Sequence, residues 1–212
     1  MAVESNDPFV KEASLKDSDL SSFEDFAKSY LKYTINILES LNSGEIAGCI
    51  KIIDEIRRKS KQVFIAGNGG SAATASHMAN DFLAGPRWAR GDGLKVTSLA
   101  DNVSVLTALA NDHGYDHVFD KQLDVLGSEG DCLIVISASG NSANLINAVV
   151  AARQMGIATI GILGFDGGSL SRMVDHAIIV KTPVGDYGPV EDAHMVLDHL
   201  IGAALIKISG FA

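Results

Sequence analysis

Two glycine- and serine-rich turns, each following a short apolar run, carry the residue types that hold phosphate. The first is Val63-Phe64-Ile65-Ala66 followed by Gly67-Asn68-Gly69-Gly70-Ser71. The second is Leu133-Ile134-Val135-Ile136 followed by Ser137-Ala138-Ser139-Gly140-Asn141-Ser142. Each leads into a helix-like stretch. Glycine lets backbone N–H groups approach an anion closely, and a helix N-terminus adds partial positive charge. Hydroxyls supply further donors. A helix N-cap needs one such side chain, a role open to Asn141 or Ser142. Three serines and a glycine exceed that need, so the pair of turns points to a phosphorylated small molecule gripped between them.

Other readings of the first turn are weaker. Gly67-x-Gly69-x-x-Ala72 fits a loose dinucleotide-binding pattern, with alanine in the last place. That pattern requires an acidic residue about 20 residues on, at the end of the second strand. Asp101 arrives well past that point. No Gly-Lys-Ser/Thr follows, which excludes a nucleotide P-loop. The bland alternative is a turn that only packs helix on strand.

His77 and Asp81 are four apart on the helix leaving the first turn, so they share one face near its ligand end. Glu191 and His199 are eight apart on the last helix and also lie roughly on one face. Two imidazoles and two carboxylates can hold a divalent metal, with zinc favoured by the imidazoles. Taken alone, a helical His/Asp pair at this spacing is ordinarily a surface or capping interaction. His194 and Asp198 form a competing pair on the same last helix, while His113, His117 and His176 read as structural or exposed.

The elements that must position these groups follow from periodicity. Short β-rich runs fall at 62–66, 95–99, 132–136, 158–163 and 177–181. Helical stretches separate them at 71–83, 102–111, 115–127, 142–155 and 168–174, and a final helix covers 190–208. This alternation predicts an α/β fold with a doubly wound, five-stranded parallel sheet. Ligands bind beyond the carboxyl ends of such strands, where both turns lie. Before the first strand, apolar residues recur at helical spacing over 20–41 and 45–60, broken by Asn42-Ser43-Gly44. This helical hairpin has apolar surface to bury against the sheet or another subunit. Residues 1–16 read as a flexible tail, 17–212 as one domain, and 85–93, with Pro86, Arg87, Trp88 and Arg90, as a mobile loop.

Composition narrows the function class. The 212 residues are 47% hydrophobic, enough for a substantial core. The formal net charge of −9 argues against a nucleic-acid partner, which calls for a basic face. A neutral cradle of amides and hydroxyls still accommodates phosphate. No apolar run approaches the roughly 20 residues of a membrane span, and the polar N-terminus has no signal-peptide core. Cys49 and Cys132 sit inside apolar runs and read as buried free thiols. A soluble, cytoplasmic protein is expected.

The motifs in their order resemble the sedoheptulose 7-phosphate (phosphoheptose) isomerases of the SIS fold, over residues 20–209. They are Gly-Asn-Gly-Gly-Ser at 67–71, His77, Leu-Thr-Ala-Leu-Ala-Asn-Asp at 106–112, Ser-Ala-Ser-Gly-Asn-Ser at 137–142, Gly-Phe-Asp-Gly-Gly at 164–168 and the histidines of the last helix. The resemblance implies that Asn68, Gly69, Gly70, Ser71, Asn111 and Asp112 contact the sugar phosphate. It implies that Ser137, Ala138, Ser139 and Ser142 hold the phosphate, and that zinc lies between His77, Asp81, Glu191 and His199. It further implies a homotetramer with sites built from more than one subunit, and a place in making heptose for surface polysaccharide such as lipopolysaccharide or capsule.

Two departures stand out. The family's better-known members carry glutamate where this chain has Asp81, and glutamine where it has Glu191. Asp81 is one methylene shorter, and Glu191 restores a long carboxylate as metal ligand, substrate contact or second base. Aldose–ketose isomerisation needs a base for the carbon-bound proton, an acid for the oxygens and stabilisation of the enediolate. Asp81 or Glu191 is the candidate base and His199 the candidate acid. The rival readings are an isomerase of another phosphosugar and a non-catalytic phosphosugar- or protein-binding module.

Overall fold

The computed structural model describes residues 22–84 and 93–209. The expected tail at 1–16, positions 20–21 of the expected first helix and positions 85–92 of the expected loop lie outside the described residues. Two helices, α1 (Phe23–Glu39) and α2 (Ser43–Arg58), precede the first strand. Ser22 caps α1 by accepting from the Asp25 N–H at 3.1 Å. Asn42 caps α2 by accepting from Gly44 N–H at 2.9 Å. These side chains satisfy backbone donors that the first helical turn leaves orphaned. Helix α1 ends at Glu39 with Ser40 as its C-cap, and Ser43 and Gly44 of the expected break lie inside α2.

The strands are β1 (Gln62–Gly67), β2 (Lys95–Ser98), β3 (Cys132–Ser137), β4 (Ala158–Gly164) and β5 (His176–Val180). They form one parallel sheet in the order β2-β1-β3-β4-β5. All six residues of β3 are buried, as expected of a central strand covered on both faces. The edge strand β2 is partly exposed and carries Lys95, which discourages further pairing. From β1 the chain runs outward to β2, then crosses back to β3 on the other side. The strand order therefore reverses between β1 and β3, and a crevice opens at their carboxyl ends. Both glycine/serine turns leave from that point.

The remaining helices are α3 (Gly70–Ala84), α4 (Val103–His113), α5 (Asp120–Leu126), α6 (Ala143–Gln154) and α7 (Tyr187–Ile208). One face of the sheet carries Val63, Ile65, Ile134 and Ile160, covered by α2, α3 and α7 through Ile53, Met78, Phe82, Leu197 and Ile201. The other carries Phe64, Leu133, Val135 and Leu163, covered by Leu123 of α5 and Leu145, Ala148 and Val149 of α6. The doubly wound five-stranded sheet predicted from periodicity is thus present.

Three local expectations need correction. The stretch 115–127 is divided into a 3-10 turn, Tyr115–His117, and the short helix α5. The stretch 168–174 holds only a 3-10 turn, Leu170–Arg172, because Gly167 and Gly168 both have positive φ and place the chain against the second glycine/serine turn. The last helix begins at Tyr187, ahead of position 190, and takes in Gly188 and Pro189. Proline is tolerated there because its missing N–H is one that the first turn leaves unbonded anyway.

The N-terminal hairpin is fastened to the start of α7. Tyr33 donates to Asp186 at 2.9 Å and Tyr30 to Asp192 at 2.6 Å. Burial and the Asp192 carboxylate push the Tyr30 hydroxyl up to about 12, so it remains a donor.

His194 is fully enclosed on the buried stripe of α7. Burial pushes its pKa down to about 4, and the Leu163 backbone offsets only part of that. In the unfolded chain histidine titrates near 6.5, so the unfolded state takes up the proton first. Stability from this group is complete above about pH 6.5 and falls as pH drops towards 4. Roughly 2 kcal/mol is expected to be lost between pH 7 and pH 5. Urea unfolding at the two pH values should show it, and His194→Leu should flatten that part of the profile. An unchanged slope in the variant would mean that another group is responsible.

Candidate active site

The first turn delivers its residues directly into α3. Gly67 ends β1, Asn68 is half-buried, Gly69 and Gly70 are exposed, and Ser71 is buried within the first turn of the helix. A Cβ on Gly67 would stand 2.5 Å from the Ser71 carbonyl oxygen, so this tight exit requires glycine. Asn68 is held from two sides. It exchanges side-chain hydrogen bonds with the buried Asn144 at 2.9 Å and accepts from the Tyr115 hydroxyl at 2.9 Å. Sequence reasoning missed both partners. Asn144 lies two residues into the helix that leaves the second turn, and the two neighbouring turns meet through it.

The second turn is stiffened by its own side chains. Ser137 is buried and accepts from the Gly140 N–H at 3.0 Å. Ser139 accepts from the Asn141 N–H at 3.3 Å, while Asn141 receives the Ser169 N–H at 2.9 Å. Ser142 occupies the cap position of α6 without a side-chain capping bond. Ala138 is buried, and its carbonyl oxygen would lie 2.8 Å from a Cβ placed on Gly164. That same Cβ would lie 2.5 Å from Val190, so the end of β4, the second turn and the start of α7 converge.

Helix α7 meets α3 beside the first turn. The Glu191 carboxylate fills the space where a Gly70 side chain would project, and Glu191 is therefore placed at the first turn. Farther along, α3 and α7 bring together His77, Asp81, Asp198 and His199, whose ligand atoms all lie within 4.8 Å of one another. His77 Nδ1 is 3.8 Å from Asp81 Oδ2, and His199 Nε2 is 3.9 Å from the same oxygen. The two imidazoles meet edge to face with centroids 5.1 Å apart. Three of the four expected ligands thus converge, and Asp198 joins them.

The electrostatics reinforce that grouping. The Asp198 hydrogen bond holds the His77 imidazolium pKa above its usual value, with help from the Asp81 charge. Burial pushes the Asp198 carboxyl up, opposed by its bond to His77. The sequence pairs Asp198 with His194 by spacing, but the structure turns it across to α3. Two imidazoles and two carboxylates in a half-open cleft fit a divalent transition metal.

Asn111 and Asp112 stand elsewhere. They are exposed at the far end of α4 and bond to each other at 2.8 Å. A groove of about 750 Å³ at the β2 edge, lined by Ser76, Val96, Asp101, Val105 and Gln122, includes none of the candidate site residues.

This architecture has close relatives. The SIS domain family matches residues 27–164. The phosphoheptose isomerase of Aneurinibacillus thermoaerophilus is 37% identical over 186 residues, covering 84% of this chain and 91% of that protein. That of Aliarcobacter butzleri is 42% identical over 151 residues, covering 71% and 78%. The chain belongs to the phosphoheptose isomerase family of SIS-domain proteins. Among solved structures, the phosphoheptose isomerase of Neisseria gonorrhoeae superposes with a TM-score of 0.80 at 30% identity, covering 88% of this chain and all of that one. The SIS-domain match takes in both turns and α3, and ends before α7.

Proposed function

We propose that this phosphoheptose isomerase family member converts sedoheptulose 7-phosphate to D-glycero-D-manno-heptose 7-phosphate. The observation that carries the reading is the convergence of His77, Asp81 and His199 where α7 meets α3, the helix that leaves the first glycine-rich turn. The phosphate is bound by Ser139 and Ser142 with backbone N–H groups of the second turn, which Ser137 and Ala138 shape. Asn68, Gly69, Gly70 and Ser71 form the sugar side, with Glu191 over Gly70. Phosphate binding far from the reacting carbons fixes position and supplies binding energy.

Asp81 takes a proton from C1 of the ketose while His199 protonates the C2 oxygen, giving the 1,2-enediol. Return of a proton to C2 and loss of the C1 hydroxyl proton complete the aldose, so no atom is gained or lost. Glu191 is the second carboxylate available for proton transfer. His77, Asp81 and His199, with Glu191, would hold zinc, which polarises the carbonyl and the adjacent hydroxyl when bound.

A homotetramer is part of this reading. Helix α4 buries none of its residues in the single chain, and α1 leaves Phe23, Leu31 and Ile35 exposed. Covered by neighbouring copies, these faces would bring Asn111 and Asp112 to another subunit's sugar. Two buried cysteines without a disulfide accord with a reducing cytoplasm. Among the described residues no helix is long and apolar enough to cross a membrane.

The test is turnover of sedoheptulose 7-phosphate followed by NMR of the anomeric protons. Aldoheptose phosphate signals are expected with zinc, and their loss after chelation and recovery on adding zinc back. No conversion, with the substrate still raising the thermal midpoint, would sink the reaction and leave a phosphosugar binder.

A further inference from the structure

The ligand set leaves one question about His77, namely which ring nitrogen faces the metal. We propose that Asp198 is the positioning residue of this centre, accepting the Nδ1–H of His77 and thereby assigning Nε2 as the ligating nitrogen. Which ion is bound rests on the reading above. The hydrogen bond is a property of the chain itself.

The geometry is specific. His77 Nδ1 lies 2.7 Å from Asp198 Oδ2, the shortest polar contact in the cluster. Asp198 occupies the middle of the buried stripe of α7, between His194, Leu197 and Ile201, and its side chain is 0% exposed. The side chains of His77, Asp81 and His199 retain 42%, 31% and 57% exposure. Groups that must bind a metal and leave a position open to substrate belong on the accessible side of the cleft. Asp198 stands behind them.

A carboxylate in an apolar stripe is costly unless paired. Among the described residues the second Asp198 oxygen is buried without a hydrogen-bond partner, and His77 is the group that compensates the carboxylate. An imidazole whose Nδ1–H is committed to a carboxylate presents the Nε2 lone pair in one fixed tautomer and orientation. The adjacent His199 points its own Nε2 towards Asp81 from the same helix. One turn of α7 therefore supplies both a ligand and the support for a ligand on α3.

The experiment uses ¹⁵N-histidine-labelled full-length protein, with and without zinc, as wild type, Asp198→Asn and Asp198→Glu. In the wild type His77 should be protonated at Nδ1 in the metal-free form and keep that proton when zinc binds. Asp198→Asn, a near-isostere, should lose that uniform tautomer and weaken zinc binding about 10–100-fold in a chelator competition. Asp198→Glu should recover part of the affinity. Thermal midpoints establish that each variant is folded, and the wild-type tautomer needs no variant at all. Ligation through Nδ1, a direct Asp198–zinc bond, or unchanged zinc affinity in Asp198→Asn would overturn the proposal. A wild type that keeps the Nδ1–H tautomer but binds no zinc would support the hydrogen-bond assignment and defeat the metal reading instead.

Discussion

His199→Ala and Asp81→Asn should each lower kcat for sedoheptulose 7-phosphate by about 10²–10⁴-fold, the range supplied by one positioned acid or base. Fold and phosphate affinity should change little. Both side chains are partly exposed, and in the proposed reading the phosphate is held on a different turn by backbone amides and serines. Substitutions at such positions ordinarily move stability by no more than about 0.5 kcal/mol. The expected signature is therefore a kcat effect with substrate protection against unfolding retained. Because both groups serve one proton-transfer cycle, the double variant should fall well short of the product of the two losses. Full turnover in either single variant would remove that residue from the chemistry. Asp81→Asn at full rate with Glu191→Gln inactive would move the base to the first turn.

The second large effect is on the fold. Gly140→Ala is expected to cost about 3 kcal/mol. Its φ of +64° lies in the left-handed region, which costs an L-residue roughly 1–2 kcal/mol. The added methyl would also run into the Gly167 carbonyl oxygen and lie 3.0 Å from the Gly168 nitrogen. Those are backbone atoms of a crossing turn, not the end of a flexible side chain, and displacing them adds roughly 1–3 kcal/mol. At about 2–4 °C per kcal/mol for a chain of this size, the thermal midpoint should fall by roughly 6–12 °C. Gly69→Ala is the control. Its φ is +54°, but nothing lies within 4 Å of the new methyl, so only the conformational cost applies. Equal losses in the two variants would mean that the crossing of 140 with 167–168 is not the source.

Much of this arrangement is legible in the chain. Apolar runs followed by glycine mark β1 and β3, and the ligand-end placement of both turns follows from parallel topology. What sequence reasoning lacked is depth. Ser137, Ser139 and Ser142 look equivalent in a motif, yet Ser137 is buried and committed to the Gly140 amide, whereas Ser142 is half-exposed. Spacing pairs His77 with Asp81 correctly as neighbours on a face, but intrahelical spacing cannot register a contact between helices. The closest partner of His77 is Asp198, 121 residues away. The same limit hides Asn144 and Tyr115 behind Asn68. Glu191 shows the converse case: spacing puts it roughly on one face of α7 with His199, but its carboxylate stands at Gly70, because its height along the cleft depends on where α7 meets the first turn.

Helix α7 also gives the molecule an order of completion. Val190, Ala193, Leu197, Ile201 and Leu205 seal one face of the sheet, while Glu191, Asp198 and His199 ride on the same element. During synthesis the strands and both turns leave the ribosome before it. A nascent or truncated chain would therefore combine an uncovered apolar face with an unfinished site. Emergence of α7 supplies the cover for that face and the remaining side chains of the candidate site together, so copies without it carry the surface that chaperones and proteases recognise.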